Sequence, residues 1–410
     1  MDGRAATQLL DEGIRTWGVP GAQLGLLRGD DRVTVCSGST SIGGPPVTVA
    51  TSFHAGSLAK ALTGLVVLDA ARAGHLDLDA PGDAHGPGLW PESARTLLSQ
   101  TSGRANVLPE ADEELAAFVS RAAALPRVHP PGRFSYCNAG WSALDLLLRR
   151  TTGSSFEDLA TRLLGPSTTF GMPEHGAEGH EVGPGTDPRP VPATYAPAAS
   201  AAGSRWWATA DQLLDHALLH LHDGQGRLHP DDVRAVRTPT AELPGRTVFD
   251  AWGLGWATWD RGEHRAFGWA GYTGGHRAFL RCFPDQDAAL VLLANAAGPL
   301  FGPPGGSALF DTLLPDLLDL LDVPPLPPPS YDAPPRPAAE LAGGFGPLLL
   351  EALDDDHLGL HAQAFGVADP LTLERLGGNT FDVVGEPPGS TPLAVADDLL
   401  HLGPFALPRG

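Results

Sequence analysis

The stretch Phe53-His-Ala-Gly-Ser-Leu-Ala-Lys-Ala-Leu-Thr-Gly-Leu-Val-Val-Leu-Asp-Ala-Ala-Arg-Ala-Gly74 decides how the rest of the chain is read. Lys60 is the only lysine in 410 residues; every other member of the 27 Lys and Arg side chains is Arg. An amine in surroundings that disfavour charge can lose its proton near neutral pH, which a guanidinium cannot do. Ser57 precedes Lys60 by three residues, and the pattern from Ser57 to Ala73 predicts a helix stopped by Gly74. Residues three apart share a helix face, so the hydroxyl and the amine can meet. Leu58, Leu62, Leu65, Val66, Val67 and Leu68 leave little polar face, so the helix is expected to be buried on most sides and the amine pKa depressed. A hydroxyl at a helix N-terminus beside a neutral base is the arrangement of an activated nucleophile. The plainer alternative makes Ser57 an N-cap and sends Lys60 to solvent, so motifs downstream must decide.

Outward from that helix, residues 5–17 suit an amphipathic helix, and 22–27 with 32–36 a strand pair. A Gly/Pro-rich connection runs to Pro91, and a short helix from Thr96 is expected to end at Gly103. Tyr136 and Asn138 are placed on a turn before a helix from Trp141 to Arg150. There, Tyr136 can pass protons and Asn138 can hold a substrate amide, or they can be a half-buried ring and an N-cap. Residues 167–202 form a long loop, a candidate lid or pocket wall. His216 and His220 share a helix face beyond Thr209, with His222 nearby, but nothing acidic or sulfurous converges on them and no metal is expected. The Thr273-Gly274-Gly275 run suits a strand edge that something approaches closely. Strands follow at 279–283 and 288–294, then an apolar helix from Ser307 to Leu321. The simplest architecture is a mixed sheet with helices on its faces. A stiff Pro-rich linker at 323–337 separates this unit, residues 1–322, from short alternating runs in 338–410 that read as a small all-β domain.

A net charge of −21 argues against nucleic acid or an anionic membrane as partner. Cys36, Cys137 and Cys282 lack metal-type spacing and suit reduced thiols. With no export signal and no membrane-length apolar run, the expected location is cytoplasmic. No cofactor is expected, and the sequence sets no oligomeric state.

Ser57-Leu-Ala-Lys60, Tyr136-Cys-Asn138 and Tyr272-Thr-Gly274 together resemble the motifs of the serine β-lactamase and penicillin-binding-protein superfamily. The Tyr-x-Asn form resembles the class C β-lactamase, D-aminopeptidase and esterase branch, as do Leu97-Leu-Ser-Gln-Thr-Ser-Gly103, Ser204-Arg-Trp-Trp-Ala-Thr-Ala-Asp211 and Trp252-Gly-Leu-Gly-Trp256. The similarity covers about residues 5–322. It implies an α/β (α+β) fold in which helices flank an antiparallel sheet, with an all-helical subdomain beside it. It also implies Ser57 as acylated nucleophile, Lys60 and Tyr136 as the proton-transfer pair, and Asn138 as ligand for the substrate amide. The N–H groups of Ser57 and Gly275 would form the oxyanion hole, with Tyr272, Thr273 and Gly274 binding substrate. The third motif usually opens with a cation; here it opens with Tyr272, which puts penicillin-like substrates in doubt unless His276 or Arg277 supplies the charge.

The leading expectation is a cytosolic serine acyl-enzyme, hydrolase or acyltransferase, taking an ester, thioester or peptide acyl donor. One alternative is a penicillin-binding-protein-type thioesterase or peptide cyclase, or a D-amino-acid-directed peptidase, since such relatives carry a small C-terminal β-barrel. Another is a non-catalytic binding or sensor protein on the same fold.

Overall fold

The computed structural model describes residues 1–410 except 184–185, 193–195, 299–305, 332–333 and 386–391. Parts of the long loop and of the Pro-rich linker lie outside the described residues. The central sheet has eight strands in the order Asp31–Gly38, Gly21–Arg28, Ala288–Ala294, His276–Phe283, His264–Thr273, Ala257–Arg261, Ala251–Trp252 and Ala241–Glu242. All its pairings are antiparallel, not mixed. A parallel pairing joins Ala296–Ala297 to His180–Glu181 in a separate three-stranded sheet. Ala288–Ala294 is buried at every residue, which explains its unbroken apolar sequence in place of alternation.

Adjacent strand residues point to opposite faces. A Cβ on Gly3 of the helix Gly3–Thr16 would lie 3.4 Å from the Val33 side chain, while Thr34 donates to Asp211 of the helix Ala210–Leu221. These two helices therefore cover opposite faces, and Gly306–Leu321 packs beside the first. Helices Leu115–Ala123, Asn138–Thr152 and Phe156–Leu164 build the helical subdomain. The lysine-bearing helix, Ala59–Arg72, is enclosed among Asn138–Thr152, Phe156–Leu164 and Pro230–Arg237.

Three boundaries differ from expectation. The first turn at Ser57 is a 3-10 turn, Gly56–Leu58, before the α-helix proper. The helix expected to end at Gly103 ends at Leu98, because Gln100 turns left-handed with φ 58°. The helix expected from Trp141 starts at Asn138, with Cys137 as N-cap residue, so Asn138 is neither on the turn nor a cap.

Residues 343–408 form a second sheet whose eight strands follow one another in chain order from Gly343–Phe345 to Phe405–Pro408. A bridge between Phe345 and Arg409, with Gly346 N–H donating to Pro408 O at 3.1 Å, brings the two ends together into a nearly closed barrel. Closure removes the exposed edges that so small a sheet would otherwise present. Its core, including Leu350, Leu360, Phe381 and Leu393, is distinct from the core of the larger unit.

Several histidines are buried neutral. Burial lowers His54, His216 and His401 to about 4, and His220 and His276 fall well below their ordinary value. In the unfolded chain each titrates near about 6.5. Below that pH the unfolded chain binds protons that the native protein refuses, so native stability falls as pH drops from 6.5 toward 4. Asp145 and Asp311, raised by burial, act in the opposite sense but are fewer. The urea midpoint is expected to decline between pH 7 and pH 5, each histidine adding a slope of up to about 1.4 kcal/mol per pH unit. A flat profile would show that these imidazoles are not held neutral.

Candidate active site

The turn that carries Ser57 is set by backbone crowding. Gly56 has φ 56°, and a Cβ there would lie 2.9 Å from Gly271 Cα on the strand His264–Thr273. A Cβ on Gly203 would lie 2.1 Å from Gly56 O, at a φ of 117°. Glycine at both positions lets a strand and the 3-10 segment Pro197–Ala202 close on the Ser57 turn from two sides. His54 holds the entry: its Nδ1 accepts from Gly56 N–H at 3.1 Å and its Nε2 donates to Ser204 O at 2.8 Å. One acceptor and one donor nitrogen define a neutral imidazole, in agreement with its lowered pKa.

Lys60 is completely buried while Ser57 is partly open to solvent. The amine Nζ lies 3.0 Å from Ser57 Oγ, 2.8 Å from Asn138 Oδ1 and 2.7 Å from Ala202 O. Tyr136 and Trp141 present ring faces to it at 4.8 Å and 5.7 Å. Desolvation holds its pKa well below the ordinary lysine value. A neutral amine has two N–H bonds and one lone pair. The oxygens of Asn138 and Ala202 can only accept, so they take both N–H bonds, and the lone pair is left for the Ser57 O–H.

Tyr136 donates its O–H to Ser57 Oγ at 2.8 Å and accepts from Trp269 Nε1 at 3.3 Å. Burial pushes its pKa up to about 12, so the phenol keeps its proton. Asn138 is oriented by Asn106, whose Oδ1 accepts from the Asn138 backbone N–H at 2.9 Å and from Nδ2 at 3.1 Å. One amide N–H of Asn138 stays available to a ligand. The strained Gln100 holds the same segment, its side chain accepting from Cys137 N–H at 2.7 Å and its carbonyl from Ser135 N–H at 2.9 Å. Ser57, Lys60, Tyr136 and Asn138 are thus joined directly, and this arrangement can move a proton from a hydroxyl to an amine beside a protonated phenol.

The third motif is held close by but bonded differently. Thr273 pairs with His276 across a turn made by Gly274 and Gly275, and Gly275 O accepts from His180 N–H at 3.1 Å. Thr273 Oγ1 is buried without a partner among the described residues. Tyr272 is 58% exposed, with the Arg277 guanidinium 3.3 Å from its ring centre. Arg277 donates to Ser307 Oγ, His276 O and Gly298 O, and His276 is itself buried, so neither presents a free cation at the motif. No cluster of three or more His, Cys, Asp or Glu is placed to hold a metal among the described residues. His216 and His220 instead approach each other at 3.3 Å beside Trp256, and His222 pairs with Asp287. All three cysteines are free thiols. Among the described residues no helix is long and apolar enough to cross a membrane.

Asn106, Trp269, Gln100 and the carbonyl of Ala202 were not foreseen from sequence. The carbonyl has no residue-type signal at all, Gln100 lies in the phrase Leu97–Gly103 but drew no role there, and Asn106 and Trp269 stand outside any motif spacing.

The family described as Beta-lactamase matches residues 6–309. Penicillin-binding protein 4 of Amycolatopsis lactamdurans is 32% identical over an alignment of 311 residues that covers 68% of this chain and 81% of that protein. Among solved structures, SurE superposes with a TM-score of 0.79 at 29% identity, covering 100% of this chain and 99% of its own, so the likeness includes the C-terminal barrel. The D-amino acid amidase of Ochrobactrum anthropi shares the fold over 78% of this chain and 98% of its own, with a TM-score of 0.65 at 22% identity. The chain belongs to the beta-lactamase family and is a serine-hydrolase-type enzyme.

Proposed function

We propose that the protein is a serine acyltransferase or thioesterase that accepts a peptide ester or thioester through a D-configured residue and passes the acyl group to an amine, with water as competing acceptor. The observation that carries the acyl-enzyme chemistry is the buried Lys60 amine 3.0 Å from Ser57 Oγ, with Asn138 Oδ1 and Ala202 O at 2.8 Å and 2.7 Å; as a neutral base it gives its N–H bonds to those two oxygens and its lone pair to Ser57. In acylation the Ser57 oxygen attacks the carbonyl, its proton passes to Lys60, and the oxyanion is held by the N–H groups of Ser57 and Gly275. Tyr136 gives its proton to the departing thiolate or alkoxide, and Lys60 then restores it. The incoming amine reverses these steps, and Asn138, with Tyr272, Thr273 and Gly274 along the strand edge, holds the peptide. Support for a D-residue comes from the full-length likeness to SurE, one of whose structures was solved with D-Leu and is 27% identical to this chain.

The same site argues for a donor without a carboxylate at the third motif. Tyr272 replaces the usual cation and Arg277 spends its donors on protein groups, whereas a free carboxylate would want a charge-assisted partner.

Intact mass after reaction with a fluorophosphonate is expected to show one adduct in the parent and none in Ser57→Ala. Lys60→Arg should be as slow as Lys60→Ala, both down by about 10²–10⁴, because a guanidinium stays protonated; turnover by the Arg variant would remove Lys60 as base. Tyr136→Phe keeps the ring and loses the proton donor, so turnover of an alkyl ester should fall by about 10². Parent-like activity in that variant would make Tyr136 structural. Peptidyl N-acetylcysteamine thioesters ending in a D- or an L-residue test the substrate reading, with kcat/KM favouring the D-form by about tenfold or more. Equal rates would end the D-directed reading, and efficient penicillin hydrolysis would end the argument from Tyr272.

A further inference from the structure

The barrel does more than sit beside the larger unit. Its last hairpin joins the strands Leu399–Leu402 and Phe405–Pro408 through Gly403 and Pro404. Pro404 O accepts from the backbone N–H of Tyr136 at 3.1 Å. The Phe405 ring meets the Tyr136 ring edge to face, with centres 5.5 Å apart and planes at 78°. Phe405 packs against the core of the larger unit and not that of its own barrel. The hairpin is fixed in turn, since Gly403 O accepts from Thr247 Oγ1 at 3.1 Å. A second junction lies next to it, where Thr380 Oγ1 donates to Gly245 O at 3.3 Å and a Cβ on Gly245 would fall 2.3 Å from Ala394 Cβ.

Tyr136 is therefore boxed on separate sides. Trp252 and Trp269 pack against the ring at 6.1 Å and 5.8 Å from the larger unit, and Phe405 closes from the barrel. The residue sits just before the helix that begins at Asn138, on an irregular segment whose backbone has no sheet or helix partner of its own. A backbone N–H buried there needs an acceptor, and the barrel supplies it.

We propose that the hairpin Gly403–Pro404–Phe405 positions Tyr136, so that docking of the C-terminal barrel sets the aim of the Tyr136 O–H at Ser57 and at the leaving group. Phe405 is a positioning residue that acts through Tyr136. This inference rests on the reading of Tyr136 as proton donor given above. A proton donor matters most for a poor leaving group, so loss of its aim has a signature that loosened packing does not.

The test uses the full chain with Phe405→Ala, Phe405→Tyr as the conservative replacement, and Phe405→Leu, which keeps most of the volume, should the alanine variant not fold. Phe405→Ala, or Phe405→Leu in its place, is expected to lower kcat/KM for an alkyl ester by about tenfold or more, while the p-nitrophenyl ester of the same acid and the rate of fluorophosphonate labelling at Ser57 are little changed. Phe405→Tyr should restore the alkyl ester rate. In a Tyr136→Phe background, Phe405→Ala should cause no further loss, because both changes remove one function. Equal losses for both esters, or a full additional loss in the Tyr136→Phe background, would overturn the proposal. A parent that turns over both esters unaffected by Tyr136→Phe would instead overturn the reading of Tyr136, and a parent unlabelled at Ser57 would overturn the acyl-enzyme reading; the two failures are distinguishable.

Discussion

The count of hydrogen bonds around one amine constrains the rest of the site. Burial without an anionic partner favours the neutral form of a lysine amine, and a neutral amine has two protons to give. The Asn138 amide oxygen and the Ala202 carbonyl take them. Had either position held a donor, the lone pair would be consumed there and Ser57 would face an N–H instead. Trp269 donates to Tyr136 and Tyr136 to Ser57, whose Oγ lies 3.0 Å from the Lys60 amine; with that amine neutral, the Ser57 O–H is the donor to it. Asn106 belongs to the same logic, because by taking the Asn138 Nδ2 proton it leaves Oδ1 turned to the amine.

Meeting that constraint requires pieces distant in sequence to converge with little room. Ala202 O reaches Lys60 because the segment Pro197–Ala202 is pressed against the Ser57 turn, and Thr63 Oγ1 donates to Ala201 O at 2.7 Å one residue before. The strand His264–Thr273 closes from the other side with glycine at 271, where a Cβ would fall 2.1 Å from Ala55 O. Small residues at these contacts are what allow the backbone itself to line the site. Burial on all sides also excludes water from the amine, the physical cause of its lowered pKa.

Much of this was legible from residue type. A single lysine in an arginine-rich chain, three residues after a serine on an apolar helix, pointed to a buried amine within reach of a hydroxyl, which the structure places 3.0 Å apart, and the alternating or continuous apolar runs placed the main strands. The misses have physical reasons. A carbonyl ligand such as that of Ala202 depends on where the backbone passes, not on the side chain. Gln100 ends its helix by adopting φ 58°, which glutamine seldom signals, and its side chain then holds Cys137. Asn138 stands where an N-cap is common, yet its side chain turns inward to Lys60 because Cys137 takes the cap position. The short alternating runs in the C-terminal region proved to belong to an eight-stranded barrel, some of whose strands, such as Gly343–Phe345 and Leu399–Leu402, are too short to show alternation. The contact of Phe405 with Tyr136 joins residues whose closeness no local pattern encodes.

The departure at the third motif is one feature together with Arg277, not an isolated change. Tyr272 and Arg277 are direct cross-strand partners, and the guanidinium lies 3.3 Å from the ring centre. A lysine at 272 would stand opposite that arginine, a like-charge pairing that destabilises an antiparallel ladder. The aromatic ring converts the same juxtaposition into a cation–π contact. Arg277 is also fixed from behind by Ser307 and two carbonyls, so it cannot swing out to replace the missing charge. The strand edge near Ser57 thus presents the exposed ring of Tyr272, with its cross-strand neighbour Arg277 held against it and bonded inward.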